Sequence, residues 1–170
     1  MKTHSGEIWI DGFNLFHQWE ETRALFQSAG AVNLMQREAI RALAVALGTR
    51  RRHCTLFMDG GLNRQSFSLE GLRVRYPGPG AKADDLMEEC ANIHSTERRL
   101  AVTNDNFLAA TLRRRHCRVI GAAEFIRSCL THPRKQPATP SYKTRILSST
   151  EVEEWLDVFD DGTTGEHAEL

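Results

Sequence analysis

Short apolar runs alternate along this chain with longer stretches in which apolar residues recur every three or four positions. The first run, Ile8-Trp9-Ile10, is continuous and reads as a buried strand. Cys54-Thr55-Leu56-Phe57-Met58, Leu72-Arg73-Val74-Arg75-Tyr76, Leu100-Ala101-Val102-Thr103 and Arg118-Val119-Ile120-Gly121 predict four more. The third of these five alternates apolar with basic residues, as an edge or half-exposed strand does. Helical spacing fills the intervals. One helix runs from Leu15 through Trp19 toward Phe26, until Ser28-Ala29-Gly30 interrupts it. Another carries Ala39, Ile40, Leu43, Ala44 and Leu47 behind an Asn33/Gln36 capping pair, and Gly48 ends it. A third places Leu86, Cys90 and Ile93 on one side, with Met87 and Ala91 beside them. Phe107, Leu108, Thr111 and Leu112 open a fourth, and Phe125, Ile126, Cys129 and Leu130 form the inward face of a fifth. Strands alternating with helices predict an α/β fold, a mostly parallel sheet of about five strands with helices on both faces.

The pattern changes after Leu130. Pro133, Pro137 and Pro140 alternate with Lys, Arg, Ser and Thr, which predicts a linker or an extended arm. A capping box at Thr150-Glu151-Val152-Glu153 then opens an amphipathic helix, with Val152, Trp155, Leu156 and Phe159 at i, i+3, i+4 and i+7. That stripe calls for docking, on the domain or on a partner, and the residues from Asp160 read as frayed. The expected organisation is a domain over 1–130 and an extension over 131–170.

A length of 170 residues fits one domain with a core that needs no covalent staples. The four cysteines, Cys54, Cys90, Cys117 and Cys129, lie inside apolar runs and form no C-x-x-C pair, which argues against zinc and for a reducing compartment. The beginning of the chain has no apolar signal segment and no run long enough to span a membrane, so the expectation is a soluble, cytoplasmic protein. Formal net charge is zero, with 22 basic and 22 acidic residues. That excludes the strongly basic type that binds nucleic acid by charge alone. Two local knots remain, Arg50-Arg51-Arg52-His53 and Arg113-Arg114-Arg115-His116. Both fall where a helix ends, a position that favours cations in any case.

The acids are distributed with more purpose. Asp11, Asp59 and Asp105 each follow an apolar strand closely, and Asp84 and Asp85 open the helix after the third strand. In a parallel sheet the carboxyl ends of the strands share one edge, so these acids gather on one rim. Each has an ordinary use as a helix cap or first-turn charge. Together they repel: two charges about 5 Å apart cost roughly 3 kcal/mol at an effective dielectric of 20. A divalent cation relieves that, and oxygen donors without nearby His or Cys suit Mg²⁺ or Mn²⁺. Such an ion is suited to phosphodiester chemistry. Lys82, with Arg52 and Arg113 from the knots, supplies cations for phosphate.

Three motifs resemble a known family. Asp11-Gly12-Phe13-Asn14 is similar to the D-G-x-N opening of NYN domains, the YacP-like branch of the PIN-like nucleases. Lys82-Ala83-Asp84-Asp85-Leu86 resembles the family's second acidic motif, and Val102-Thr103-Asn104-Asp105 its closing T-x-D. Order and spacing match over residues 7–130. The resemblance implies a PIN-like three-layer α/β/α sandwich and a metal-dependent ribonuclease, endonucleolytic in action. It carries catalytic roles onto Asp11, Asn14, Asp84 and Asp105, with the metal held by Asp11, Asp84 and Asp105, Asp59 and Asp85 as supporting acids, and Asn104 as a neighbour where the family often has serine or glycine. Two other readings compete. One is a PIN-like module of weak or no activity that binds RNA or protein. The other is a phosphotransferase of the haloacid-dehalogenase kind, which needs a second aspartate where Phe13 stands. A neutral chain also leaves room for a partner, a ribosome or another protein, to deliver the RNA. Monomer and dimer both remain open.

Overall fold

The computed structural model describes residues 6–27, 32–60, 65–93 and 98–130. Its centre is β1 (Glu7–Asp11), buried from Ile8 to Asp11. Parallel to it on one side lies β2 (Cys54–Phe57), and beyond that β4 (Leu72–Arg75); on the other side lie β5 (Arg99–Val102) and β6 (Arg118–Ile120), also parallel. A short antiparallel strand, β3 (Phe67–Leu69), closes the edge beside β4. The sheet thus has six strands in the order β3-β4-β2-β1-β5-β6. The sixth strand is the difference from the sequence expectation. Three residues are too few to show a period, and the hairpin turn uses Glu70 at φ 49° and Gly71 at φ 98°. Both residues of such a turn need positive φ, and a glutamate does not advertise it.

The strands pack on both faces. Ile8, Ile10, Leu56, Val74, Leu100 and Val102 join a core with α1 (Gly12–Gln18), α3 (Val32–Leu47) and α6 (Ala122–Phe125, continued as a π turn over Ile126–Leu130). Trp9, Phe57, Ala101 and Val119 join a second core with α4 (Ala83–Ile93) and α5 (Asn106–Arg114). Period-two alternation along the strands thus divides one sheet between two helical layers.

Some boundaries differ from expectation. The first helix does not run through to Phe26: it stops at Trp19, whose backbone is extended, and α2 (Glu20–Gln27) begins anew. The buried Thr22 hydroxyl donates to the Phe16 carbonyl at 2.9 Å, across the break, and to the Trp19 carbonyl at 3.2 Å, which also accepts the Arg23 N–H at 2.8 Å. Helix α3 opens at Val32, so Asn33 lies inside it and not ahead of it. In α4, Ala83, Met87, Cys90 and Ala91 face inward while Ile93 is exposed. The arm and the final helix expected over 131–170 lie outside the described residues.

One connection decides where a site can form. From β1 the chain steps outward through β2 to β4, then α4 carries it back across to β5, on the far side of β1. The order reverses beside β1. The crevice at the carboxyl ends of strands at such a reversal is where open α/β sheets bind ligands.

Candidate metal and phosphodiester site

Asp11 is the last residue of β1 and the N-cap of α1. Its carboxylate is buried and accepts the Thr103 hydroxyl at 2.9 Å, the Asn14 backbone N–H at 3.3 Å and the Asn14 side-chain amide. Gly12 follows for want of room: a Cβ there would collide with Met58 Sδ and stand 2.9 Å from the Phe57 carbonyl oxygen. Gly12 is not among the glycines with positive φ, so space and not backbone freedom calls for glycine here.

Thr103 extends the line of β5 and is itself buried. Its oxygen also accepts the Asp105 N–H at 3.1 Å and lies 3.5 Å from Asn14 Nδ2. One hydroxyl therefore joins three of the residues singled out from sequence, Asp11, Asn14 and Asp105. The sequence motif includes Thr103 but gives it no role; the signal available was its place between an apolar strand and an acid. Asp105 N-caps α5, accepting from the Phe107 and Leu108 amides at 2.8 Å each. Asp59, just past β2, accepts the Ala83 N–H at 2.7 Å and so caps α4 from outside the helix. Asp85 reaches back to the Lys82 N–H at 3.0 Å.

Four of the five rim acids thus serve helix ends. Asp84 is the exception: in the first turn of α4 and half-buried, it takes no hydrogen bond from any described residue. Its carboxyl is pushed up to about 6, first by burial and then by the negative charges of Asp11, Asp105, Asp59 and Asp85. Those same four neighbours show that α4 brings Asp84 to the rim. Burial also raises Asp11, against the opposing hydrogen bonds from Asn14 and Thr103, and the charge of Asp59 adds to the rise.

Among the described residues no three His, Cys, Asp or Glu side chains enclose a position for a metal ion. The donor chemistry nevertheless fits a hard cation. The rim offers carboxylate oxygens only, and Mg²⁺ commonly keeps several waters and takes one or two carboxylates.

The remaining sequence candidates separate. Lys82 is exposed in the loop entering α4, on the acidic rim. Asn104 turns its side-chain oxygen to the Ala122 N–H at 2.9 Å and supports the start of α6, not the acids. Arg52 and Arg113 do not reach the rim. Arg52 follows α3 and stands just ahead of β2, and Arg113 lies in the last turn of α5, ahead of β6, so both are at the opposite end of the strands. Within the first knot, Arg51 holds the β3–β4 turn, donating to the Glu70 carbonyl at 2.6 Å. Phe107, close behind Asp105, has a ring 76 % exposed beside the acids, a feature not singled out from sequence.

A family model, the YacP-like NYN domain, matches residues 8–159. The chain belongs to that family. The match begins in β1 and runs past residue 130, where the resemblance of the short motifs stops. No curated protein matches the sequence. Among solved structures, this YacP-like NYN domain is similar to Rae1 (YacP) from Bacillus subtilis, crystallised as a single-residue mutant. The likeness has a TM-score of 0.59 at 15 % identity, covering 73 % of this chain and 74 % of that one. It shows the PIN-like fold. NYN domains belong to the PIN-like nuclease superfamily, whose members generally use divalent metals, so nuclease is the activity class the family supports.

Proposed function

We propose that the protein is an Mg²⁺- or Mn²⁺-dependent ribonuclease that cuts RNA internally, in a reducing, cytoplasmic setting where its four buried thiols stay free. The observation that carries this reading is Asp84. A carboxylate with no hydrogen-bond donor, held half-buried among four other acids, costs more in desolvation and repulsion than a first-turn helix charge returns. Asp11, Asp84 and Asp105 would hold the ion, sharing it with water. When bound it supplies neutralising charge and polarises the phosphodiester. The chain's own groups do the rest. Strands β1 and β5 deliver Asp11 and Thr103 rigidly, and Asn14 and Thr103 fix the Asp11 carboxylate in one orientation. Lys82 offers its ammonium to phosphate, and Phe107 offers a flat face to a base. Among the described residues Asp59, Asp85 and Asp105 stand exposed on the rim, which supports a strand passing across it and internal cleavage.

One observation favours a second reading, an RNA- or protein-binding module of weak activity: the capping roles of Asp11, Asp59, Asp85 and Asp105 would retain those acids without catalysis. Incubating labelled RNA with the purified protein and Mg²⁺ or Mn²⁺ separates the two. Cleavage that vanishes in Asp11→Asn and Asp84→Asn, with circular dichroism unchanged, supports the nuclease. Intact RNA with both metals supports the binding module, or a requirement for a ribosome or other partner, which adding ribosomes would reveal.

A further inference from the structure

On the face of the sheet that carries α3, a groove of about 420 Å³ runs between that helix and the β3–β4 edge. Ile40, Phe67, Leu69 and Tyr76 give it an apolar floor, and Arg37 and Arg41, one helical turn apart, line it from α3. Phe67 and Tyr76 stack at 6.4 Å, and Phe67 remains 42 % exposed at the mouth. This is an apolar slot with a cationic flank, in which Arg41 is also paired with Glu38 at 2.9 Å.

We propose that the segment from Thr150 to Asp161 of this same chain docks in the groove as a helix. The described chain leaves the domain at Leu130, whose π turn packs against α3, so the C-terminal residues start from the face that holds the groove. The intervening residues 131–149 span up to roughly 60 Å when extended, at about 3.3 Å per residue, ample for the distance. The family match ends at residue 159, the last apolar position of the stripe Val152, Trp155, Leu156 and Phe159, so the stripe belongs to the domain unit. Charge agrees. Residues 150–170 hold eight acids and no lysine or arginine. Helical spacing sets Glu153 and Asp160 along one flank of the stripe, as Arg37 and Arg41 flank the groove. An apolar stripe edged with acids thus meets an apolar slot edged with arginines. The docking is independent of the nuclease reading.

Hydrogen exchange on the full-length protein tests it. Replacing Trp155 and Leu156 together by serine leaves the groove intact and removes its occupant. Amides at 67–69 should then exchange at least about tenfold faster, since local opening sets their rate, while those of Leu100–Val102 stay as in wild type. Arg37→Glu with Arg41→Glu should loosen the same amides, and adding Glu153→Lys with Asp160→Lys should restore them. Unchanged exchange at 67–69 in the serine variant would overturn the proposal. So would protection that grows with protein concentration, which assigns the groove to a second copy. Protection that appears only on adding a short single-stranded RNA would give the groove to nucleic acid instead.

Discussion

The Thr103 hydroxyl donates to the Asp11 carboxylate at 2.9 Å, bridging the ends of two neighbouring parallel strands. The two residues are 92 positions apart in sequence. They meet because β1 and β5 pair in register through Ile10 and Val102, so the next residue of each strand falls at the same height on the rim. The same oxygen receives the Asp105 amide. Removing it should therefore disturb two acids at once. Thr103→Val keeps the shape and deletes the bond, leaving buried polar groups short of a partner at a cost of about 1–3 kcal/mol. We expect a lower melting temperature and a fall in kcat with KM little changed, since the residue positions Asp11 and does not meet RNA. A Thr103→Ser variant should recover most of both. Equal kcat in the valine and wild-type proteins would remove Thr103 from the site.

Asp84 makes stability depend on pH in a defined direction. Its folded-state carboxyl titrates near 6 against an ordinary 3.8. Between those values the folded protein binds the proton more readily than the unfolded chain, so metal-free stability rises as pH falls from about 6.5 toward 4. Asp84→Asn should flatten that slope. At pH 7.5 in chelator it should melt higher than wild type, by the equivalent of about 1 kcal/mol once solvent screening of a half-exposed carboxylate is allowed for. Mg²⁺ should raise the wild-type melting temperature more than the variant's. Thermal melts across pH, with and without chelator, check all three expectations. A variant less stable in every buffer would mean that Asp84 serves the helix dipole and not an ion.

Gly12→Ala should be far more damaging than a single methyl group suggests. The new Cβ would meet the Phe57 backbone carbonyl at 2.9 Å, and a backbone atom in the middle of a sheet cannot step aside as Met58 can. Overpacking of this kind costs about 1–3 kcal/mol or more. The shift would also carry Asp11 with it. Chemical denaturation and an RNA cleavage assay on the same preparation should show both losses together.

For RNA contacts, the expectation follows the edges of the sheet. Phe107→Ala and Lys82→Ala should each weaken binding to single-stranded RNA without lowering the melting temperature, the first by about 1–3 kcal/mol if one base stacks on the ring. Arg52→Ala and Arg113→Ala should leave binding near the wild-type value. Fluorescence anisotropy with one labelled oligonucleotide compares the four, and a strong effect of Arg113 alone would place the RNA on the other edge.

The acids were legible from sequence because each sits where an apolar run stops, and parallel strands all stop at one edge. The arginine knots were misplaced although the same rule covers them: a helix that leaves the rim ends at the opposite edge, and its terminal cations go with it. Other features were hidden for local reasons. The break at Trp19 depends on the Thr22 hydroxyl reaching the Phe16 carbonyl, which no periodicity shows. Strand β3 is too short to carry a pattern. Asn104 looked like part of an acidic motif, yet the pairing of β5 with β6 sets it against the start of α6. Its Oδ1 lies 3.1 Å from where a Cβ on Gly121 would be, which leaves that position little space for a side chain.

The separation of the two edges gives the described part of the molecule a permanent polarity that a net charge of zero conceals. Acids crowd one end of the strands, and the two arginine knots lie at the other. An approaching polyanion exerts a torque on such a body and turns the arginine knots toward itself, with the acidic rim facing away. Long-range attraction therefore opposes the orientation that the proposed nuclease site needs. Added salt weakens that torque within a Debye length of about 10 Å at 0.1 M, so a moderate ionic strength should shorten the search for the productive pose, where a basic nuclease would be slowed.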